Sequence, residues 1–173
     1  GLAIDREKNL VWMSDWVDSR YVYCYSLETG KYYTKMQCRP CPYWCQGIFI
    51  ADGKMLFAAD DGESTFGIAD NIYIADVSNV PYTGLKDGTQ VTVENFKAVK
   101  KPGKVAAGAI AGRLELFREM GDFRRAGEIE GLSIDPTNDD LVVLNNRGNQ
   151  ILLGMPIGPF VEEGYTGEVH ELY

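Results

Sequence analysis

Gly131-Leu132-Ser133-Ile134-Asp135 repeats, almost letter for letter, the opening Gly1-Leu2-Ala3-Ile4-Asp5, and Gln46-Gly47-Ile48-Phe49-Ile50-Ala51-Asp52 is a third version. In each, a glycine leads into apolar residues at alternate positions, the period of a strand that buries one face. A polar turn follows, at residues 6–9, 52–54 and 136–140. A second apolar run comes next, at 10–13, 55–59 and 141–144, and each run closes on Ser14-Asp15, Asp60-Asp61 or Asn145-Asn146. Third strands are expected at 20–25, 71–75 and 149–153. The first unit shows a fourth at 31–36, behind the turn Glu28-Thr29-Gly30, and residues 90–96 are the expected fourth strand of the second unit.

Strand–turn–strand–loop–strand–turn–strand, recurring in a chain, is the pattern of a β-propeller blade. The expected fold is therefore all-β: a single domain, 1–173, built as a partial propeller of three to four four-stranded antiparallel blades. The blades fall near 1–38, 46–96 and 130–173, with an irregular insert at 97–127. Three unrelated hairpins in a sandwich would leave the recurring glycine starts and polar endings unexplained. Three blades do not close a ring, and open edges leave strand groups unpaired. Both chain ends accordingly read as cut from a longer protein, with self-association of an incomplete ring as another way to cover the edges.

Composition bounds the function. Of 173 residues, 45% are hydrophobic and 24% charged, enough for a packed core. The net charge of −8 gives no basic footprint for nucleic acid, and the short basic stretch 97–104 lacks interleaved aromatics. No apolar run approaches the roughly 18 residues of a membrane-spanning helix. The one histidine, His170, the lack of a Gly-x-Ser-x-Gly elbow and the lack of a phosphate-cradling loop argue against the common hydrolase and nucleotide chemistries. Cys24, Cys38, Cys41 and Cys45 admit three readings: unpaired thiols, disulfides or a zinc cluster.

Blade topology puts the start of the first strand and the end of the second on one face, so Gln46, Glu130, Asp15, Asp60, Asp61, Asn145 and Asn146 are expected around one mouth of a central channel. Glu128 and the loop 38–45 are expected near it. Asp and Asn at strand ends commonly bond nearby turn backbone. A ring of carboxylates and amides also suits Ca2+ or another divalent cation, which takes oxygen ligands. Trp16 and Trp44 are expected at the same mouth, where aromatic rings stack on a sugar, anchor a peptide or cap the packing between blades.

At these residues the chain resembles the six-bladed propellers that include NHL-repeat, gluconolactonase-like and esterase-like phytase proteins. Gly127-Glu128-Ile129-Glu130-Gly131-Leu132-Ser133-Ile134-Asp135 resembles the Glu-Gly-Leu strand starts of bacterial secreted members. The resemblance implies that Glu130, with Asn146 and Asp60 and with Asp15 beside them, matches a divalent-metal set that polarises a lactone or ester carbonyl. Propellers host many unrelated functions. The expected function is a non-catalytic binding or scaffold module with a structural cation; the alternative is a metal-dependent lactone or ester hydrolase. Gln46, Asp61, Trp16 and Trp44 are the expected ligand contacts, for a small molecule, carbohydrate or protein. An extracellular or cell-surface setting is favoured over the cytoplasm.

Overall fold

The computed structural model describes residues 1–62, 68–79, 109–120, 128–146, 151–156 and 170–171, with backbone only at 109, 145–146, 151–156 and 170–171. In chain order its strands are β1 (Leu2–Asp5), β2 (Leu10–Ser14), β3 (Tyr21–Ser26), β4 (Tyr32–Arg39), β5 (Cys45–Ala51), β6 (Lys54–Ala59), β7 (Asn71–Asp76), β8 (Ala109–Arg113), β9 (Glu115–Glu119), β10 (Glu128–Ile134), β11 (Asp140–Asn146), β12 (Ile151–Pro156) and β13 (His170–Glu171). Among the described residues there is no helix, and the chain is all-β. Three sheets form, with orders β1-β2-β3-β4-β8, β5-β6-β7-β9 and β10-β11-β12-β13. Every strand pairing is antiparallel except that of β8, which runs parallel to β4.

Turn chemistry closes each leading hairpin. Between β5 and β6 only Asp52 and Gly53 intervene, with φ of 47° and 70°. Two positive φ values in a two-residue loop match the right-handed twist of the strands, and Asp-Gly is a favoured pair for it. The other two hairpins use longer turns, each entered through an aspartate that ends the repeated motif. The Asp5 carboxylate accepts from the Lys8 N–H, and that of Asp135 from the Thr137 N–H. Each of these turns leaves through a left-handed residue, Asn9 or Asp139. The motif's aspartates therefore serve the turns, which accounts for their recurrence.

Burial tells the layers apart. Along β1 exposure alternates, so one face of the first sheet is covered there. Along β6 Met55, Leu56, Phe57, Ala58 and Ala59 are all buried, as in a strand covered on both faces. The second sheet is the middle layer. One core lies between it and the first sheet, built on Trp12, Cys24, Met36, Met55 and Phe57. Another lies between it and the third sheet, built on Leu56, Ala58, Ile72, Ile129, Leu141 and Val143. The first strands stand side by side, β5 between β1 and β10. Glycine makes that approach possible: a Cβ on Gly1 would sit 2.8 Å from the Ile48 nitrogen, and one on Gly47 2.8 Å from the Glu130 carbonyl oxygen.

Within the stretch 97–127, whose residues 112–120 also read as a strand or a short helix, the described residues 109–120 supply two strands. The fourth place in the second sheet, beside β7, belongs to β9, while residues 90–96 lie outside the described residues. Strand β8 adds a fifth member to the first sheet. Only Leu114 separates β8 from β9; it is buried, and its N–H donates to the Arg39 carbonyl. The physical reason is edge satisfaction: the outer sides of β4 and β7 carry unpaired backbone groups, and one crossing segment pairs with both.

Candidate functional site

The end of each second strand returns beside the start of the first. The Ser14 N–H donates to the Gly1 carbonyl, and the Asp60 N–H to the Trp44 carbonyl. Two residues at this end are pushed out of the strand ladder. Cys45 pairs with Ala59 and Gly47 with Ala58, leaving Gln46 as the extra residue of a bulge. Ile129 pairs with Asn145 and Gly131 with Leu144, leaving Glu130 in the same position. Bulges re-aim side chains and increase local twist. Gln46 and Glu130 thus hold equivalent places in neighbouring sheets.

The loops beside them are tied together. The Cys45 N–H donates to the Trp16 carbonyl at 2.8 Å, the Trp44 N–H to that of Val17 at 3.2 Å and the Ser19 N–H to that of Pro42 at 3.1 Å. This short ladder, with a bridge between Asp18 and Tyr43, joins the first sheet to the second. It brings Trp16 and Trp44 edge to face, with ring centroids 5.2 Å apart and planes at 75°. Such a pair adds about 0.5–1.5 kcal/mol beyond its buried area. Yet Trp16 remains 56% exposed and Trp44 41%, with Tyr43 exposed beside them. The Trp16 indole N–H donates to Gln46 Oε1 at 3.0 Å. Trp44 has φ of 49°, unusual for a bulky side chain. Non-glycine residues held in this region store about 1–3 kcal/mol and cluster at binding sites.

The acidic residues at this end have other partners. Tyr23 donates to Asp15, and Tyr73 to Asp61, whose second oxygen accepts from Asn71. Burial, then the facing carboxylate, pushes both tyrosine hydroxyls well above their ordinary range, so both stay protonated donors. Asp70 is buried, with the Asp60 carboxyl beside it. Burial raises the Asp70 pKa. Of the four residues matched to a metal set, Asp15 follows β2, Asp60 follows β6, Glu130 sits in β10 and Asn146 ends β11, opposite Glu128; the Asn146 side chain lies outside the described residues. Among the described residues, no group of three His, Cys, Asp or Glu side chains is placed to hold a metal ion.

All four cysteines are unpaired thiols, three of them buried. Burial pushes Cys24 up to about 12. Burial, then the thiol's hydrogen bond to Asp18, does the same for Cys41. Thiols held this high are poor nucleophiles.

Of the expected ligand contacts, Trp16, Trp44 and Gln46 come together, while Asp61 is bound up with Tyr73 and Asn71. Sequence reasoning passed over Tyr23 and Tyr73, while Asp70 was expected with Asp61 on the same face, in a binding loop or a solvated turn. The tyrosines carried a signal, because each is the third-strand residue opposite an apolar residue of the second strand, Met13 or Phe57. The chain matches no family model, no curated protein and no solved structure.

Proposed function

We propose that the three sheets are copies of one module, arranged as blades of a β-propeller, and that the protein is a non-catalytic binding module. Supporting the module reading are the glycine contacts between successive first strands and the paired bulges at Gln46 and Glu130. The observation that carries the binding reading is the Trp16–Trp44 pair. Large aromatic rings are normally drawn into a core, and these two stay exposed on a pair of loops joined by backbone hydrogen bonds. Aromatic rings beside an amide suit a ligand with a flat apolar face and hydroxyls at its edge. The net charge of −8 disfavours an anion. A neutral carbohydrate is the ligand class that fits both.

Intrinsic tryptophan fluorescence, titrated with a panel of neutral oligosaccharides, tests this directly. A bound oligosaccharide shifts the wild-type emission. Trp16→Ala weakens that binding at least tenfold, about 1.4 kcal/mol, because one stacking ring is gone, while the variant keeps its β-sheet circular dichroism and loses only a few degrees of thermal midpoint, about 2–4 °C per kcal/mol of the lost ring pair. Failure of the whole panel to shift the wild-type emission would rule out the carbohydrate class.

A further inference from the structure

The two exposed tryptophan rings share no plane. Trp16 and Trp44 meet at 75° with their centroids 5.2 Å apart, so they form a corner rather than a platform. Both rings keep open surface there. A plain hexose carries its apolar C–H groups on its two faces and hydroxyls around its rim. It lays one face on one ring and turns hydroxyls toward the other. Filling the corner takes a second apolar group, one that projects sideways from the sugar rim.

The polar group at the corner narrows the choice further. Gln46 is the extra residue of its bulge, and its Oε1 accepts from the Trp16 indole N–H at 3.0 Å. That bond settles which way the amide lies, with Nε2 and its two N–H donors turned away from Trp16 Nε1. Among the described residues, nothing accepts from Nε2. An amide nitrogen of this kind donates and does not accept. A carbonyl oxygen, which accepts and has no proton of its own, is its closest complement. An acetamido group on a sugar rim supplies both missing parts, a methyl that projects sideways and a carbonyl oxygen beside it.

We propose that the corner takes an acetamido sugar. The sugar face lies on one tryptophan, the acetyl methyl meets the other, and the acetyl carbonyl accepts from Gln46 Nε2. The proposal rests on the carbohydrate reading and makes Gln46 the residue that sets specificity.

Tryptophan fluorescence titrations with two trisaccharides are the test: that of N-acetylglucosamine (triacetylchitotriose) and that of glucose (cellotriose), which differ only in the acetamido groups. The wild type is expected to bind the acetylated trisaccharide about tenfold more tightly, from one added hydrogen bond and one buried methyl. Gln46→Glu keeps an acceptor for the Trp16 N–H and removes the donor, so the preference for the acetylated sugar falls severalfold. Equal binding of the two sugars by the wild type, or tighter binding of cellotriose, would overturn the acetamido assignment and leave the carbohydrate reading standing. A preference unchanged in Gln46→Glu would overturn it as well, and the wild-type comparison decides the matter should that variant lose its β-sheet circular dichroism. A neutral N-acetyllysine amide that bound as tightly as the acetylated trisaccharide would move the acetamido group to a protein ligand and overturn the sugar assignment. No response to either sugar, nor to any other neutral oligosaccharide, removes the carbohydrate reading and this proposal together.

Discussion

Gly47 and Gly131 occupy the same position in the repeated motif, yet their surroundings differ. The neighbours of Gly47 are the backbone of Glu130 and Gly131, which cannot swing aside as a side chain can. Overpacking of this sort costs typically about 1–3 kcal/mol. Gly47→Ala is therefore expected to lower unfolding stability by that amount in urea titration. Gly131→Ala is expected to leave the isolated chain near wild type, because a strand-interior alanine loses less backbone entropy than glycine. Equal effects at the two positions would contradict the asymmetry. The same scale explains the aspartates of the motif. Asp5 and Asp135 bond turn backbone, a local duty that needs no ligand.

The crossing from β8 to β9 is the element with most consequence for its neighbours. It covers the outer edges of two sheets in one pass, and Leu114 at its midpoint sinks into the core between them. Gly112 lies directly over Met36, where a Cβ would overlap the methionine side chain. Leu114→Ala removes buried atoms at this anchor, and such truncations cost about 2–5 kcal/mol. Hydrogen exchange is expected to quicken first in β8, β9 and the facing amides of β4 and β7, ahead of β5 and β6. Uniform quickening across all strands would show that the crossing opens only with the whole stack.

At the scale of the whole molecule, the buried Asp70 carboxyl, beside Asp60, couples stability to pH. Burial lifts the folded-state pKa of Asp70 above its ordinary 3.8. The folded protein then holds a proton that the unfolded chain has released, so this group's stabilisation is full below 3.8 and is lost as pH rises through the raised value. Asp70→Asn removes that titration and can still accept from backbone N–H groups. Relative to wild type, the variant is expected to gain stability at pH 7 and gain less, or nothing, at pH 4. Urea midpoints of both proteins at the two pH values check it; an equal difference at both would show that Asp70 titrates normally.

Local order was written in the sequence, because it depends on neighbours along the chain. Alternation in residues 1–5, the Asp52-Gly53 turn and the glycine starts named strands and hairpins, and the all-β class with them. The strand ends that share one face, with Gln46 and Glu130 among them, followed from the same antiparallel logic. What the sequence could not show depends on contacts between distant segments. That β9 pairs with β7 depends on an edge left open some forty residues earlier in the chain, which no local periodicity records. Asp15, Asp60 and Asp61 looked alike as strand-ending carboxylates, and only packing gave them to Tyr23, Asp70 and Tyr73. The meeting of Trp16 with Trp44 likewise required the ladder between two loops of different sheets, a pairing of backbone groups that tertiary structure alone decided.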